Sequence, residues 1–288
     1  MIPVGENTKK HINAGRWSIK KRLGLAVGIL LIVMGLICGG VGIYHYMAEK
    51  TAGKQYEELK DQVQTETSQA LEAFSGKIET EEIMPEESET EEKEPPEIPI
   101  DFESLTAQYP DIYAWITIPG TDIDYPIVQR EGDNGYYLNH TIDGEKKTEG
   151  AIFTEDYNGK EFTDANTLIY GHNMKNGTMF RQLHKYEDRM FFEENREVII
   201  YQPDQILHYQ IFAAYVYDNR HLMMSFDFED PQVFEDYIES IFEKKSMSNN
   251  IDDSIPITAE DKIITLSTCN GNSEQRYLVQ AVLVSVEN

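Results

Sequence analysis

The stretch LGLAVGILLIVMGLICGGVGIY, Leu23 to Tyr44, runs 22 residues without a charge. A helix of that length crosses the roughly 30 Å hydrocarbon layer of a bilayer. Whatever else the chain folds into must therefore do so from a tether. Lys9, Lys10, Arg16, Lys20, Lys21 and Arg22 precede the run and only Glu6 opposes them, a net of about +5 over residues 1–22. Basic flanks stay on the cytoplasmic side. The expectation is a cytoplasmic tail over 1–22, a retained membrane anchor over 23–46 and an extracytoplasmic remainder. A cleaved signal peptide would carry a shorter apolar core followed by small residues at the cleavage point. YHYMAEK, beyond Gly42, offers no such pattern.

The whole chain has 288 residues and a formal net charge of −26, so everything beyond the tail carries about −31. That balance argues against nucleic acid as a partner. The length is enough for one well-buried domain with appendages. Residues 47–78 are rich in helix formers, with Tyr56, Leu59, Val63, Leu71 and Phe74 loosely along one face, and predict a helical stalk. Between Glu79 and Glu97 stand ten glutamates and one lysine, punctuated by prolines. Such a segment cannot bury enough apolar area to offset chain entropy, so 79–100 is read as a disordered spacer. The folded domain is expected over 101–288.

Within it, DFESLTAQYPDIYAWITI predicts a short helix ending near Pro110 and then a strand, and TDIDYPIVQ repeats the strand signal after a Pro119–Gly120 turn. GAIFT, NTLIYG, EVIIYQ, QILHYQIFAAYVY, KIITLST and QRYLVQAVLVSV continue the series. Roughly eight short strands with few long helices indicate an all-β sandwich or barrel. The exception is DPQVFEDYIESIFEKKSMSNN. There Asp230 is a plausible N-cap, Pro231 sits in the first turn, and Phe234, Tyr237, Ile238, Ile241 and Phe242 recur at helical spacing. That pattern predicts an amphipathic helix packed on the β structure.

The two cysteines fall in different compartments. Cys38 lies inside the apolar run, where a small apolar side chain needs no further reason. Cys269, closing the run TLSTC, is the only thiol beyond the membrane and has no intramolecular partner there. It is an intermolecular bridge, a reactive thiol or an inert buried cysteine. A reactive thiol needs a group to take its proton and a donor for the developing oxyanion. Arg276 is the candidate donor: if KIITLST and QRYLVQAVLV pair as antiparallel neighbours, Cys269 leaves one strand as Arg276 enters the next. For the base, the domain offers His140, His172, His184, His208 and His221. His208 falls inside an alternating strand, His184 and His221 lie among charged residues that read as solvated, and His140 is a loop residue without special company. His172 stands ahead of them because NTLIYG ends a strand just before it, and Gly171 leaves room to turn the imidazole out. Neither cysteine has ligands at zinc spacing, and DYNGKEF lacks the full EF-hand pattern, so no metal and no cofactor are expected.

Taken in order, WITIPGTDIDYPIVQ, DNGYYLNHTIDG, GAIFTEDYN, LIYGHNM and TLSTC, with an arginine opening the next strand, resemble class B sortases, membrane-anchored cysteine transpeptidases of Gram-positive bacteria. The resemblance covers about Asp101 to Val286 and implies an eight-stranded β-barrel with peripheral helices. It also implies Cys269 as nucleophile, His172 as general acid and base, Arg276 as oxyanion or substrate donor, and a helix from Pro231 beside the substrate groove. Asn270 departs from the acidic residue that many sortases place after the cysteine. The implied reaction cleaves a C-terminal sorting motif of a secreted protein, of LPxTG or NPxTN type, after its threonine. The acyl group then passes to an amine of a lipid-linked peptidoglycan precursor or to a pilin lysine. A cysteine protease and a non-catalytic surface module are the alternatives.

Overall fold

The N-terminal helix α1 (Ile19–Thr51) carries the apolar run, of which Ala26–Tyr44 is long and apolar enough to cross a membrane. Leu30, Ile32 and Leu36 on it are exposed to the surroundings, as lipid-facing residues are. The computed structural model describes residues 19–51, 53–63, 96–247 and 249–288; the acidic run, together with Leu71 and Phe74, lies almost wholly outside them. Two compact units result, one up to Ala48 and one from Glu49 onward.

The second unit is built on nine strands: β1 (Ile112–Thr117), β2 (Asp124–Val128), β3 (Ile152–Thr154), β4 (Asn166–Tyr170), β5 (Glu197–Tyr201), β6 (Ile206–Asp218), β7 (Asn250–Ile251), β8 (Ile263–Cys269) and β9 (Gln275–Glu287). They form one sheet in the order β5-β1-β2-β3-β4-β8-β9-β6-β7, and a further β5–β6 pairing closes eight of them into a barrel. The short β7, which has no sequence signal, pairs with β6 beyond the β5 pairing on the same edge. Closure leaves no free edges among those eight strands. The predicted mainly β, eight-stranded barrel is therefore present.

Strand residues alternate between two buried environments. Ile264 and Leu266 of β8, with Tyr277, Val279 and Ala281 of β9, fill the barrel interior. Ile263, Leu278 and Val282 face outward and are covered by α6 (Pro231–Phe242), which brings Phe234, Tyr237, Ile238 and Ile241 down onto them. Because both faces are buried, β8 and β9 read as nearly continuous apolar runs. Helix α6 begins as predicted, with the Asp230 carboxylate accepting the Gln232 N–H at 2.9 Å and Pro231 in the first turn. A buried polar chain also fastens it: Gln280 Nε2 donates to Tyr237 Oη (2.9 Å) and Thr265 Oγ1 (2.8 Å), while Tyr215 Oη donates to Gln280 Oε1 (3.0 Å).

Four further helices and two 3₁₀ segments complete the described part of the unit. Helix α2, over 54–63, precedes the spacer, and α3 (Phe102–Gln108) follows it, with its first turn capped by Asp101. Where the sequence suggests a stalk, α2 lies against the barrel, burying Tyr56, Leu59 and Val63 in the same core as the strands. Tyr56 meets Tyr125 edge-on at 5.6 Å and donates its hydroxyl to Gly150 O at 2.7 Å. The 3₁₀ helix Phe180–Glu187, followed by α4 (Arg189–Glu194), buries Phe180, Leu183 and Tyr186 in the barrel core. A one-turn helix, α5 (Leu222–Ser225), precedes α6.

Candidate active site

β8 and β9 pair antiparallel without a register break, and Cys269 lies directly opposite Arg276. On its other side β8 runs parallel to β4, with Tyr170 beside Ser267 and the Gly171 N–H donating to Ser267 O at 3.1 Å. His172 is two residues past Tyr170 and Cys269 two past Ser267, so both come at the same end of neighbouring strands. Cys269 and Arg276 sit side by side on β8 and β9, and His172 follows the end of β4 on the other side of β8. Cys269 and Arg276 share parity with the outward residues Ile263 and Leu278. They occupy the outer face of the barrel at the strand ends, where the cover of α6 has stopped, and Cys269 is exposed. That exposure removes the reading of Cys269 as a buried cysteine.

His172 Nε2 lies 2.6 Å from Leu138 O, which orients the ring with Nε2–H as donor. Leu138 ends the 3₁₀ turn Tyr136–Leu138. Arg276 folds back over the β8–β9 turn, Nη1 donating to Gln275 O (2.9 Å) and Ser273 O (3.3 Å). Beside it, Tyr170 donates to the Glu155 carboxylate at 3.0 Å, and His221 Nε2 approaches the same carboxylate oxygen at 2.6 Å. Burial and the Glu155 charge push the Tyr170 phenol far above its usual range, while the nearby Arg276 charge acts the other way. Tyr170 therefore stays a neutral hydrogen-bond donor. A surface cleft lined by Tyr157, Asn166, Met223, Phe226 and Phe228 opens at the start of β4, the far end from His172. Among the described residues no group of three or more His, Cys, Asp or Glu side chains is arranged to hold a metal ion.

Gly171 matters for a reason the sequence hides. A Cβ on it would lie 2.5 Å from Ile152 Cδ1 and 2.6 Å from the Phe180 ring, so the glycine admits neighbouring side chains rather than a special turn. The other histidines divide differently from expectation. His208 is a surface residue between Glu197 and Glu287, as its strand pattern suggests. His140 has company after all, stacking on Tyr136 at 4.1 Å. His221 joins Glu155 and Tyr170, and His184 is drawn to the Cys269 backbone, so neither is simply solvated. His184 Nε2 lies 3.0 Å from Cys269 O, and Asn173 Nδ2 donates to the same oxygen at 2.7 Å. Sequence inspection missed Asn173 and His184; the available signal was the three-residue spacing of Phe180, Leu183 and Tyr186, which buries one side of a 3₁₀ helix.

A closed barrel with an exposed cysteine ending one strand, an arginine opposite it on the next and a histidine just past the strand on the other side fits a cysteine acyl-transfer enzyme. Residues 116–284 match the model of the sortase domain, and the chain belongs to the sortase family. Within it the similarity is to class B: sortase B of Listeria monocytogenes is 36% identical over 178 residues, spanning 61% of this chain and 70% of that one. The 2.0 Å crystal structure of Staphylococcus aureus sortase B superposes with a TM-score of 0.63 at 25% identity, covering 81% of this chain and 98% of that one. A Streptococcus pyogenes class B sortase involved in pilus biogenesis superposes with a TM-score of 0.55 at 30% identity, covering 64% and 98%. The protein is thus a class B sortase, a cysteine transpeptidase.

Proposed function

We propose that the enzyme cleaves a C-terminal sorting motif of secreted proteins, of LPxTG or NPxTN type, after its threonine and transfers the acyl group to a peptidoglycan-precursor amine. What supports this reading is an exposed Cys269 opposite Arg276 on β8 and β9, with His172 two residues past the end of β4, the other neighbour of β8. The Cys269 thiolate attacks the threonine carbonyl carbon. Arg276 and the Asn270 N–H stabilise the oxygen as it becomes negative. His172 gives a proton to the departing amine as the C–N bond breaks, leaving a thioester on Sγ. The acceptor amine then attacks the thioester, His172 takes its proton, and the C–S bond breaks to regenerate the thiolate. A pilin lysine is the alternative acceptor, as the pilus role of the Streptococcus relative suggests.

In this reading α1 anchors the enzyme with residues 1–22 in the cytoplasm and the barrel outside, which holds the site near both secreted substrate and lipid-linked acceptor. The test uses the full chain in detergent with a panel of sorting peptides and two amines, a glycine-type α-amine and a lysine ε-amine. Ligated product, followed by mass, is expected for one motif with the wild-type chain and lost in Cys269→Ala. Ligation that persists in that variant removes Cys269 from the mechanism, and free acid as sole product with either amine indicates a protease instead.

A further inference from the structure

The parallel β4–β8 ladder is finished by side chains. Gly171 N–H donates to Ser267 O, so the next rung would join the backbone N–H of residue 173 to Cys269 O. The chain turns away at His172 instead, and Asn173 Nδ2 takes that rung at 2.7 Å. His184 comes to the same carbonyl from the 3₁₀ helix (3.0 Å) and lies 2.9 Å from Asn173 Nδ2. Each partner is held in turn: Arg181 Nη1 donates to Asn173 Oδ1 at 3.0 Å, and His184 Nδ1 meets the Glu187 carboxylate at 2.7 Å. The His184 ring also stacks on Tyr277, the neighbour of Arg276, at 4.9 Å, and its side chain is only 15% exposed. A carbonyl oxygen only accepts, so His184 Nε2–H and Asn173 Nδ2–H are its two donors, and the other ring nitrogen of His184 faces the Glu187 carboxylate. The brace touches Cys269 itself and a sequence neighbour of each of the other two site residues.

We propose that Asn173 and His184 are positioning residues that fix the Cys269 carbonyl and thereby aim the Asn270 N–H at the oxyanion. This rests on the acyl-transfer reading above. A trans peptide is planar, with its N–H opposite its C=O. Holding the Cys269 carbonyl on the β4 side therefore turns the Asn270 N–H toward β9, where Arg276 waits. The brace acts on the transition state, so its loss lowers the rate of acylation and leaves peptide affinity and thiol reactivity alone.

The test measures acylation of the full chain in detergent by a sorting peptide, together with melting temperature and the alkylation rate of Cys269 by iodoacetamide. His184→Phe keeps the ring on Tyr277 but loses all of its polar contacts, and Asn173→Ala removes the rung. Each is expected to lower kcat about tenfold with KM and alkylation within about twofold of wild type; the pair falls by less than the product, because both act on one carbonyl. His184→Gln, whose amide reaches as a donor, recovers most of the rate. Folded variants whose kcat stays within about twofold of wild type overturn the proposal. Should His184→Phe unfold, Asn173→Ala and Glu187→Ala decide in the same way, since Glu187 is more than half exposed and its loss opens no cavity. A wild-type chain that acylates with no peptide instead overturns the reading of the site.

Discussion

Gly171 and Met179 show how tightly single residues near the site are held. Gly171 must stay small because Phe180 and Ile152 occupy the space of a Cβ. Gly171→Ala is expected to destabilise the fold by about 1–3 kcal/mol through overpacking and to slow ligation, because the displaced Phe180 carries the N–H bonded to His172 O. A denaturant midpoint equal to that of wild type contradicts this. Met179 adopts φ 57°, a conformation L residues avoid, yet it is fully buried and its N–H donates to Tyr125 Oη at 3.1 Å. Those contacts hold the turn that returns the chain from His172 to the 3₁₀ helix. The histidines carry the same lesson. Strand parity identifies His208 as a surface residue, whereas the role of His184 depends on an oxygen 85 positions away.

At the level of elements, α6 and the β8–β9 hairpin follow from local pattern, since each is written in a continuous stretch with its own cap, turn and periodicity. The link between β5 and β7 is different. Arg196 Nη2, just before β5, pairs with Asp252, just after β7, at 2.8 Å, both side chains being about four-fifths buried. Burial opposes ionisation of Asp252, but hydrogen bonds from Ser254 and Arg196 outweigh it and lower the carboxyl to about 2. The unfolded carboxyl titrates at about 3.9. Its contribution, about 2 kcal/mol, is thus complete above roughly pH 5 and is lost as pH falls through about 2. Urea midpoints measured from pH 5 to pH 2 should fall more steeply for wild type than for Asp252→Asn; parallel curves would show that the pair contributes nothing.

Across the whole molecule, α2 belongs with the barrel although the acidic run separates them in sequence. Tyr56 is 1% exposed, packs on Tyr125 and bonds to Gly150 O. Tyr56→Ala should cost about 3 kcal/mol or more in chemical denaturation, as for other large buried aromatics; an unchanged midpoint would mean that α2 is not docked in solution. By itself the sequence determined the membrane-length helix, the strand segments, α6 and the facing of Cys269 with Arg276. These depend on composition, on periodicity, or on two strands joined by a short turn. The tertiary structure alone decided that β4 lies beside β8, that β5 closes on β6, that α2 docks, and that Asn173 and His184 meet the Cys269 carbonyl. Those contacts join residues tens of positions apart, and short-range patterns record only that a side chain is buried, while the packed barrel decides what it is buried against.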